Sequence, residues 1–368
     1  MIYFDNAATS FPKPRKVTKE VINCITRYCG NPGRSSHKLA LAAADKIFEA
    51  RISAADFIGW KKCENVIFTP NATYALNLVI KGLITSKCHC IISDLEHNSV
   101  IRPLQKTLNK FGGNFSVFNT DLPIYEAIEP LIQNDTYAIL CTLCSNVTGK
   151  ILDFKDLSSV AKKHNLKLIV DASQYIGHRQ LNLNDFYFTA LCSAGHKGLF
   201  GIQGSAFAVI NDYGLFDTLT EGGSGVDSFS PNMPVLLPER YEAGTLSTPA
   251  IVSLGAGIDY LNEVGIDNVD KKLDYMTKLT IYELESISSV ELLGADNGIL
   301  SFNVKNYNSS YISDILDKQG IATRSGFHCA PLIHKKLRTT ERGAVRVSFS
   351  YFNKESEIYT LCKVLKSI

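Results

Sequence analysis

Lys197 is set in the stretch ALCSAGHKGLFGIQG (Ala190 to Gly204), at the end of an apolar run and among Gly195, Gly198, Gly201 and Gly204. Glycines let a backbone turn sharply and approach another group closely. Something flat or phosphorylated could sit beside the Lys197 amine; a surface turn is the structural alternative. Asp171 ends the apolar run LKLIVDAS, where a lone carboxylate is costly unless it meets a cation or a donor. His97 follows the run CIISDLE, and Cys329 lies in RSGFHCAPL, a loop of the kind that leaves a thiol reactive rather than packed in a core. Arg346 stands between apolar neighbours in AVRVSFS, where an unpaired guanidinium is expensive.

An amine and a carboxylate together supply what pyridoxal phosphate needs. The amine bonds its aldehyde, and the carboxylate keeps its pyridine nitrogen protonated so that the ring withdraws electrons. His97 could stack on such a ring. Ala72 and Thr73 open the helix in ENVIFTPNATYALNLVIKGL, and the free N–H groups and positive dipole end of a helix N-terminus favour phosphate; a plain N-cap at Thr73 is the structural alternative.

The elements that must position these groups can be read from the runs around them. Pro12 and Pro14 open a helix to about Cys29, and Ser36 caps a second from Lys38 to Ile58. In that second helix Leu41, Ala44, Ile47, Phe48, Ile52, Ala55 and Phe57 recur at helical spacing and predict one buried face. From Cys88 apolar runs alternate with helices starting at Asn98, Leu122 and Asp153, and FYFTALC reads as a buried strand. Strand–helix alternation with continuous apolar runs implies a largely parallel sheet buried on both faces. Ligands gather at the carboxyl edge of such a sheet, so His97, Asn146, Asp171, Gln174 and Lys197 should converge there. Glu221 to Pro238 reads as a surface loop, followed by a helix from about Ala250 to Val264. The fold class is α/β: a three-layer α/β/α large domain with a mainly parallel mixed sheet over 16–245, and a smaller α+β domain from 1–15 and 246–368 that carries the Cys329 loop.

Composition narrows the function classes. The chain has 368 residues, 45% of them hydrophobic, and a formal net charge of +2; with no concentrated basic face, neither nucleic acid nor a membrane surface is favoured. No apolar run approaches the ~20 residues of a membrane span, and the ten irregularly spaced cysteines read as free thiols of a reducing compartment. The cytoplasm and a small-molecule substrate are expected.

The motifs resemble, in order and spacing over nearly the whole chain, the cysteine desulfurases of the class V aminotransferase group, fold-type I pyridoxal-phosphate enzymes. They are YFDNAAT (Tyr3 to Thr9), EHNS (Glu96 to Ser99), SNVTG (Ser145 to Gly149), VDASQ (Val170 to Gln174), GHK (Gly195 to Lys197) and EAGT (Glu242 to Thr245). RSGFHCA (Arg324 to Ala330) is similar to the R-x-G-x-H-C-A signature of the group II desulfurases. The resemblance implies a homodimer in which Lys197 binds the cofactor, His97 stacks on its ring and Asp171 meets the pyridine nitrogen. It further implies Gln174 at the ring hydroxyl, His196 and Thr73 at the phosphate, and Thr245 at the phosphate of the partner subunit. Ala72 and Ala194 stand where relatives commonly carry hydroxyl residues, with Ser193 one position earlier.

The substrate of such an enzyme is L-cysteine. Its carboxylate needs a planar two-pronged partner; Arg346 is the choice, with Arg324 and Asn146 as further substrate-binding candidates. Lys197 would take the α-proton and Cys329 would attack the substrate sulfur, leaving alanine and a persulfide for an acceptor protein in iron-sulfur or thio-cofactor assembly. A lyase for selenocysteine or cysteine sulfinate on the same fold, and a non-catalytic sulfur carrier or scaffold, are the competing readings. Cys141-x-x-Cys144 and Cys88-His89-Cys90 lack a second ligand pair at zinc spacing and read as core, so no metal is expected. HKKLR, His334 to Arg338, reads as a solvated basic face that could guide an acidic acceptor.

Overall fold

The computed structural model describes residues 1–33 and 35–368. β1 (Ile2–Tyr3) precedes α1 (Arg15–Asn23), which runs on as one π turn over Cys24–Tyr28. After α2 (Lys38–Phe57), strands and helices alternate: β2 (Val66–Thr69), α3 (Ala72–Leu83), β3 (His89–Ser93), α4 (Asn98–Phe111), β4 (Asn114–Phe118), α5 (Ile124–Ile128), β5 (Thr136–Thr142), α6 (Phe154–Lys163), β6 (Lys167–Asp171). β7 (Ala190–Ala194) covers only the second half of the expected FYFTALC strand, and β8 (Ala206–Ile210) returns beside it.

These strands form one seven-stranded sheet in the order β2-β8-β7-β6-β5-β3-β4, with only β8 antiparallel to its neighbours. Its two faces carry separate cores. Ile91, Ile139, Val170 and Leu191 pack with α2, α6 and α7 (Thr248–Val264), whereas Cys90, Leu140, Ile169 and Cys192 pack with α3 and α4. Burial on both sides is why the strands lack polar alternation.

The chain continues with α8 (Ile266–Glu285), β9 (Val290–Asp296), β10 (Ile299–Val304), α9 (Ser309–Lys318), β11 (Ile321–Ala322), β12 (Arg324–Gly326), α10 (Pro331–Lys336), β13 (Ala344–Ser348) and α11 (Glu355–Leu365). A four-stranded antiparallel sheet runs β12-β13-β10-β9, and β11 pairs in parallel with β1, which brings the N-terminus beside the C-terminal strands. The sequence reading lacks α8 and β9, although Val269, Leu273, Met276, Thr280 and Leu284 are buried along one face of α8.

α2 departs from its expected face. Leu41, Phe48 and Ile52 are 52%, 54% and 38% exposed, while the buried stripe is Ala40, Ala43, Ile47, Ala50, Arg51, Ala54 and Ala55. Small residues win because α7 lies close: a Cβ on Gly255 would stand 3.1 Å from the Cβ of Ala50. The N-cap is His37, whose Nδ1 accepts from the Ala40 amide at 3.2 Å, and not Ser36.

Arg51 is buried on this helix because it forks onto Glu242, Nη1 to Oε1 at 2.7 Å and Nη2 to Oε2 at 2.9 Å, while Glu242 also accepts from the Phe68 amide. The pair ties α2 to β2 and to the EAGT segment. Arg51→Met would leave a buried carboxylate unpaired and should lower stability by about 3–5 kcal/mol in urea unfolding. A loss below about 1 kcal/mol, the range of an exposed pair, would contradict a structural role for the bridge.

Candidate active site

The carboxyl ends of β3, β5, β6 and β7 deliver Glu96 and His97, Asn146, Asp171, and the Lys197 loop to one edge of the sheet, beside the N-terminus of α3. They enclose a cavity of about 110 Å³, lined by Ala72, Thr73, His97, Asn146, Asp171, Gln174, Ala194, His196 and Lys197. Most of the expected residues are thus brought together. Thr245 is not: it is exposed and borders another hollow, with Thr69, Tyr74 and Tyr241.

The Lys197 loop is fixed by close backbone contacts and a convergence of donors. A Cβ on Gly198 would lie 2.5 Å from the Ile176 carbonyl oxygen, so no side chain fits there. The His196 carbonyl receives Thr9 Oγ1 at 3.1 Å, Ser10 N at 3.1 Å and Lys13 Nζ at 3.0 Å. Burial lowers the Lys197 amine to about 8; Asp171 opposes that, and Arg346 and Arg324 reinforce it.

His97 is the N-cap of α4, and its Nδ1 accepts from the Ser99 amide at 3.0 Å, which puts the ring proton on Nε2. Burial and the Lys197 charge hold this imidazole neutral, down to about 4. The Ser99 hydroxyl touches both His97 Nδ1, at 2.9 Å, and Thr73 Oγ1, at 2.8 Å. Ser99, and Asp5 beside Arg346, are site residues that the sequence does not distinguish from the rest of EHNS and YFDNAAT.

Several groups are left open in a way that fits pyridoxal phosphate. Gln174 Nε2 donates to the Ala7 carbonyl at 2.8 Å, but its buried Oε1 and the buried Nδ1 of His196 have no partner. Asn71 Oδ1 caps the Tyr74 amide at 2.9 Å, and the preceding amides of α3 have no acceptor within the helix. The cavity thus holds an amine, a carboxylate, a lone acceptor and a helix N-terminus, the set that aldehyde, pyridinium, ring hydroxyl and phosphate require. Ala72 and Ala194 line it, whereas Ser193 lies in β7 opposite Phe207, its hydroxyl buried without a partner and outside the cavity.

Beside the cavity stands the thiol loop. β12 pairs with β13 so that Arg324 faces Arg346. Arg346 is 1% exposed; it donates from Nη2 to Asp5 Oδ1 at 2.7 Å and from Nη1 to the Asn146 carbonyl at 2.9 Å, leaving Nε without a partner. Cys329 is exposed, and its carbonyl accepts from the Asn98 amide at 2.7 Å, while Asn146 Nδ2 donates to the His328 carbonyl at 2.8 Å. His328 and Cys329 both have left-handed backbones, φ 49° and 57°, at a cost on the order of 1–3 kcal/mol each.

The other thiols are poorly placed for chemistry. Cys141 and Cys144 are buried, which pushes both thiols up, Cys144 to about 12, although Cys144 borders the cavity. Cys88 and Cys90 are buried as well. HKKLR is a solvated face only in part: Lys335 and Arg338 are exposed, whereas His334 is buried and Lys336 pairs with Asp94 and Asp121, each at 2.8 Å.

Comparison with known proteins finds relatives along the whole chain. The family described as aminotransferase class-V matches residues 2–361. A Methanothermobacter thermautotrophicus protein named "Probable cysteine desulfurase" is 33% identical over all of this chain and 94% of its own length; one of the same name from Pyrococcus abyssi is 30% identical over 100% and 94%. Among solved structures, the apo cysteine desulfurase of Thermococcus onnurineus NA1 superposes with a TM-score of 0.92 at 30% identity, covering 100% of this chain and 94% of that one. The Escherichia coli cysteine desulfurase CsdA, at 21% identity, TM-score 0.90 and coverage of 99% and 94%, shares the fold.

The depressed Lys197 amine makes a pH prediction. Only the neutral amine attacks an aldehyde, so covalent loading of the apo-protein by pyridoxal phosphate should accelerate about tenfold per pH unit and level off above about 8. Stopped-flow absorbance reads this directly. A plateau reached only above about 10, the ordinary lysine range, would show that Lys197 is not desolvated.

Proposed function

The chain belongs to the class-V aminotransferase family, and on that premise we propose a pyridoxal-phosphate-dependent cysteine desulfurase that converts L-cysteine to L-alanine and takes the sulfur onto Cys329. The observation that carries the reading is that Asn98, beside His97, holds the carbonyl of the exposed Cys329 and Asn146, on the cavity wall, holds that of His328, while Arg346 bonds to the Asn146 carbonyl.

Roles follow from what each residue has free. Lys197 would hold the cofactor, Asp171 would face its pyridine nitrogen, and His97, neutral with its proton on Nε2, would cover the ring without adding charge. Gln174 Oε1, His196 Nδ1 and the first amides of α3 would take its hydroxyl and phosphate. The bound cofactor supplies an electron-withdrawing ring conjugated to the substrate's α-carbon. Arg346 would offer its open Nε to the substrate carboxylate, with Arg324 opposite and Asn146 adjacent. The Lys197 amine, neutral near its lowered pKa, would take the α-proton at Nζ. Cys329 Sγ then bonds to the substrate sulfur as the carbon–sulfur bond breaks; the electron pair stays on the β-carbon, which is protonated, so alanine leaves and Cys329 keeps the added sulfur.

Two features support a homodimer of this chain. Thr245 faces outward, where it would reach the phosphate bound by a partner, and Leu41, Phe48 and Ile52 give α2 an apolar stripe for a second copy to cover. Residues 16–245 would hold the cofactor and 1–15 with 246–368 the thiol. An acceptor protein would reach Cys329 beside the half-exposed Phe327. Among the described residues no helix is long and apolar enough to cross a membrane. Seven of the ten cysteines are buried and all are free thiols, which suits the cytoplasm.

Cys329→Ser tests the assignment. The variant should keep the cofactor absorbance and bind cysteine, yet form alanine at least about a hundredfold more slowly, because a serine hydroxyl is barely ionised near neutral pH. Mass spectrometry of the parent after cysteine should show one added sulfur on the Cys329 peptide. Sulfur on Cys141 or Cys144, or alanine formed by Cys329→Ser at the parent rate, would refute the role of this thiol.

A further inference from the structure

The six residues Arg324 to Cys329 leave β12 and end at the exposed thiol, and something must hold two consecutive left-handed residues that are not glycine. Asn98 and Asn146 hold this turn from the cavity side. His328 and His334 are 3% and 1% exposed and stack with ring centroids 5.5 Å apart. His328 Nε2 lies 3.3 Å from the Arg324 carbonyl oxygen, His328 Nδ1 lies 3.3 Å from His334 Nε2, and His334 Nδ1 lies 2.7 Å from Thr339 Oγ1.

The proton positions along this line follow from its end. A carbonyl oxygen only accepts, so His328 must carry its proton on Nε2, or two lone pairs would face each other. Its Nδ1 is then an acceptor, which puts the His334 proton on Nε2 and leaves His334 Nδ1 to accept from the Thr339 hydroxyl. The hydroxyl's other acceptor, the His334 carbonyl, is farther, at 3.4 Å. Burial keeps both imidazoles neutral, as this order requires. Phe327 covers the pair edge-on, its centroid 5.6 Å from that of His334.

We propose that His334 and Thr339 are positioning residues for Cys329: a one-way relay from the Thr339 hydroxyl through His334 and His328 to the Arg324 carbonyl closes the thiol loop on itself and holds Sγ toward the substrate. The inference rests on Cys329 being the sulfur-accepting thiol, and it gives a role to His334, a residue the sequence places in a basic surface run. Phenylalanine at 334 keeps the shape and loses the donor, whereas glutamine supplies both an N–H for His328 and an oxygen for Thr339.

Nitrogen-15 NMR of the holoenzyme near pH 7 should show both His328 and His334 as neutral Nε2–H tautomers. His334→Phe should keep the cofactor absorbance and the KM for cysteine but lower kcat for alanine about ten- to a hundredfold, the order expected when a reacting group is misplaced by about an ångström; His334→Gln should recover most of it. If His334→Phe does not fold, Thr339→Val against Thr339→Ser makes the same comparison. An Nδ1–H or doubly protonated ring in either histidine overturns the relay, as does parental kcat in both His334→Phe and Thr339→Val, or equal loss in His334→Gln and His334→Phe. Failure of the desulfurase reading is distinguished by the parent enzyme itself, which would then carry no sulfur on Cys329 whatever the tautomers are.

Discussion

A guanidinium that is 1% exposed needs partners for its donors, and Arg346 finds two that are remote in sequence. Asp5 comes from the first residues of the chain and the Asn146 carbonyl from the turn after β5, so one side chain on β13 fastens the N-terminal segment, the large sheet and the small sheet together. The thiol loop depends on that junction twice. Its first residue, Arg324, is paired across from Arg346, and its penultimate residue, His328, is held by the Asn146 side chain, whose backbone Arg346 also binds. An arginine already bonded on two nitrogens cannot swing, and its one open edge has a fixed direction.

The cavity beside it is arranged by desolvation more than by opposite charges. The Lys197 amine is lowered and the His97 and His196 rings are kept neutral chiefly by burial, and the nearby guanidinium groups push Lys197 the same way. A neutral amine and neutral rings suit a site that must move protons while holding an anionic phosphate. Cys329 is treated differently: it stays exposed on a turn whose backbone is strained but held by Asn98 and Asn146. The groups proposed to hold the cofactor are sheltered and the thiol proposed to accept sulfur is not, as transfer to another protein would need.

What the sequence reveals of this arrangement is local. The glycine loop around Lys197, Asp171 at a strand end and the helix N-terminus at Ala72 are each visible because one short stretch contains both the functional residue and the reason for its placement. The parallel sheet is visible because burial on both faces leaves a continuous apolar run. Contacts between distant segments leave no such trace: Asp5 and Arg346 are 341 positions apart. Nor does a basic run reveal that His334 turns inward while Lys335 turns out. The α2 face is misread for a related reason, since helical spacing marks the large apolar residues and close packing on α7 selects the alanines. Thr245 stands apart, exposed beside Thr69 and Tyr74, because a short motif does not carry the position its segment takes in the fold.

In the proposed reaction the Lys197 cavity and the Cys329 thiol act as one site, each turnover passing one sulfur to that thiol. Rapid-quench of the holoenzyme with excess cysteine, in the absence of any thiol reductant or acceptor, tests it most directly. A burst of one alanine per chain is expected, matched by one sulfur on Cys329, after which alanine formation nearly stops. Alanine accumulating at a constant rate with free sulfide in solution and an unmodified Cys329 would contradict it.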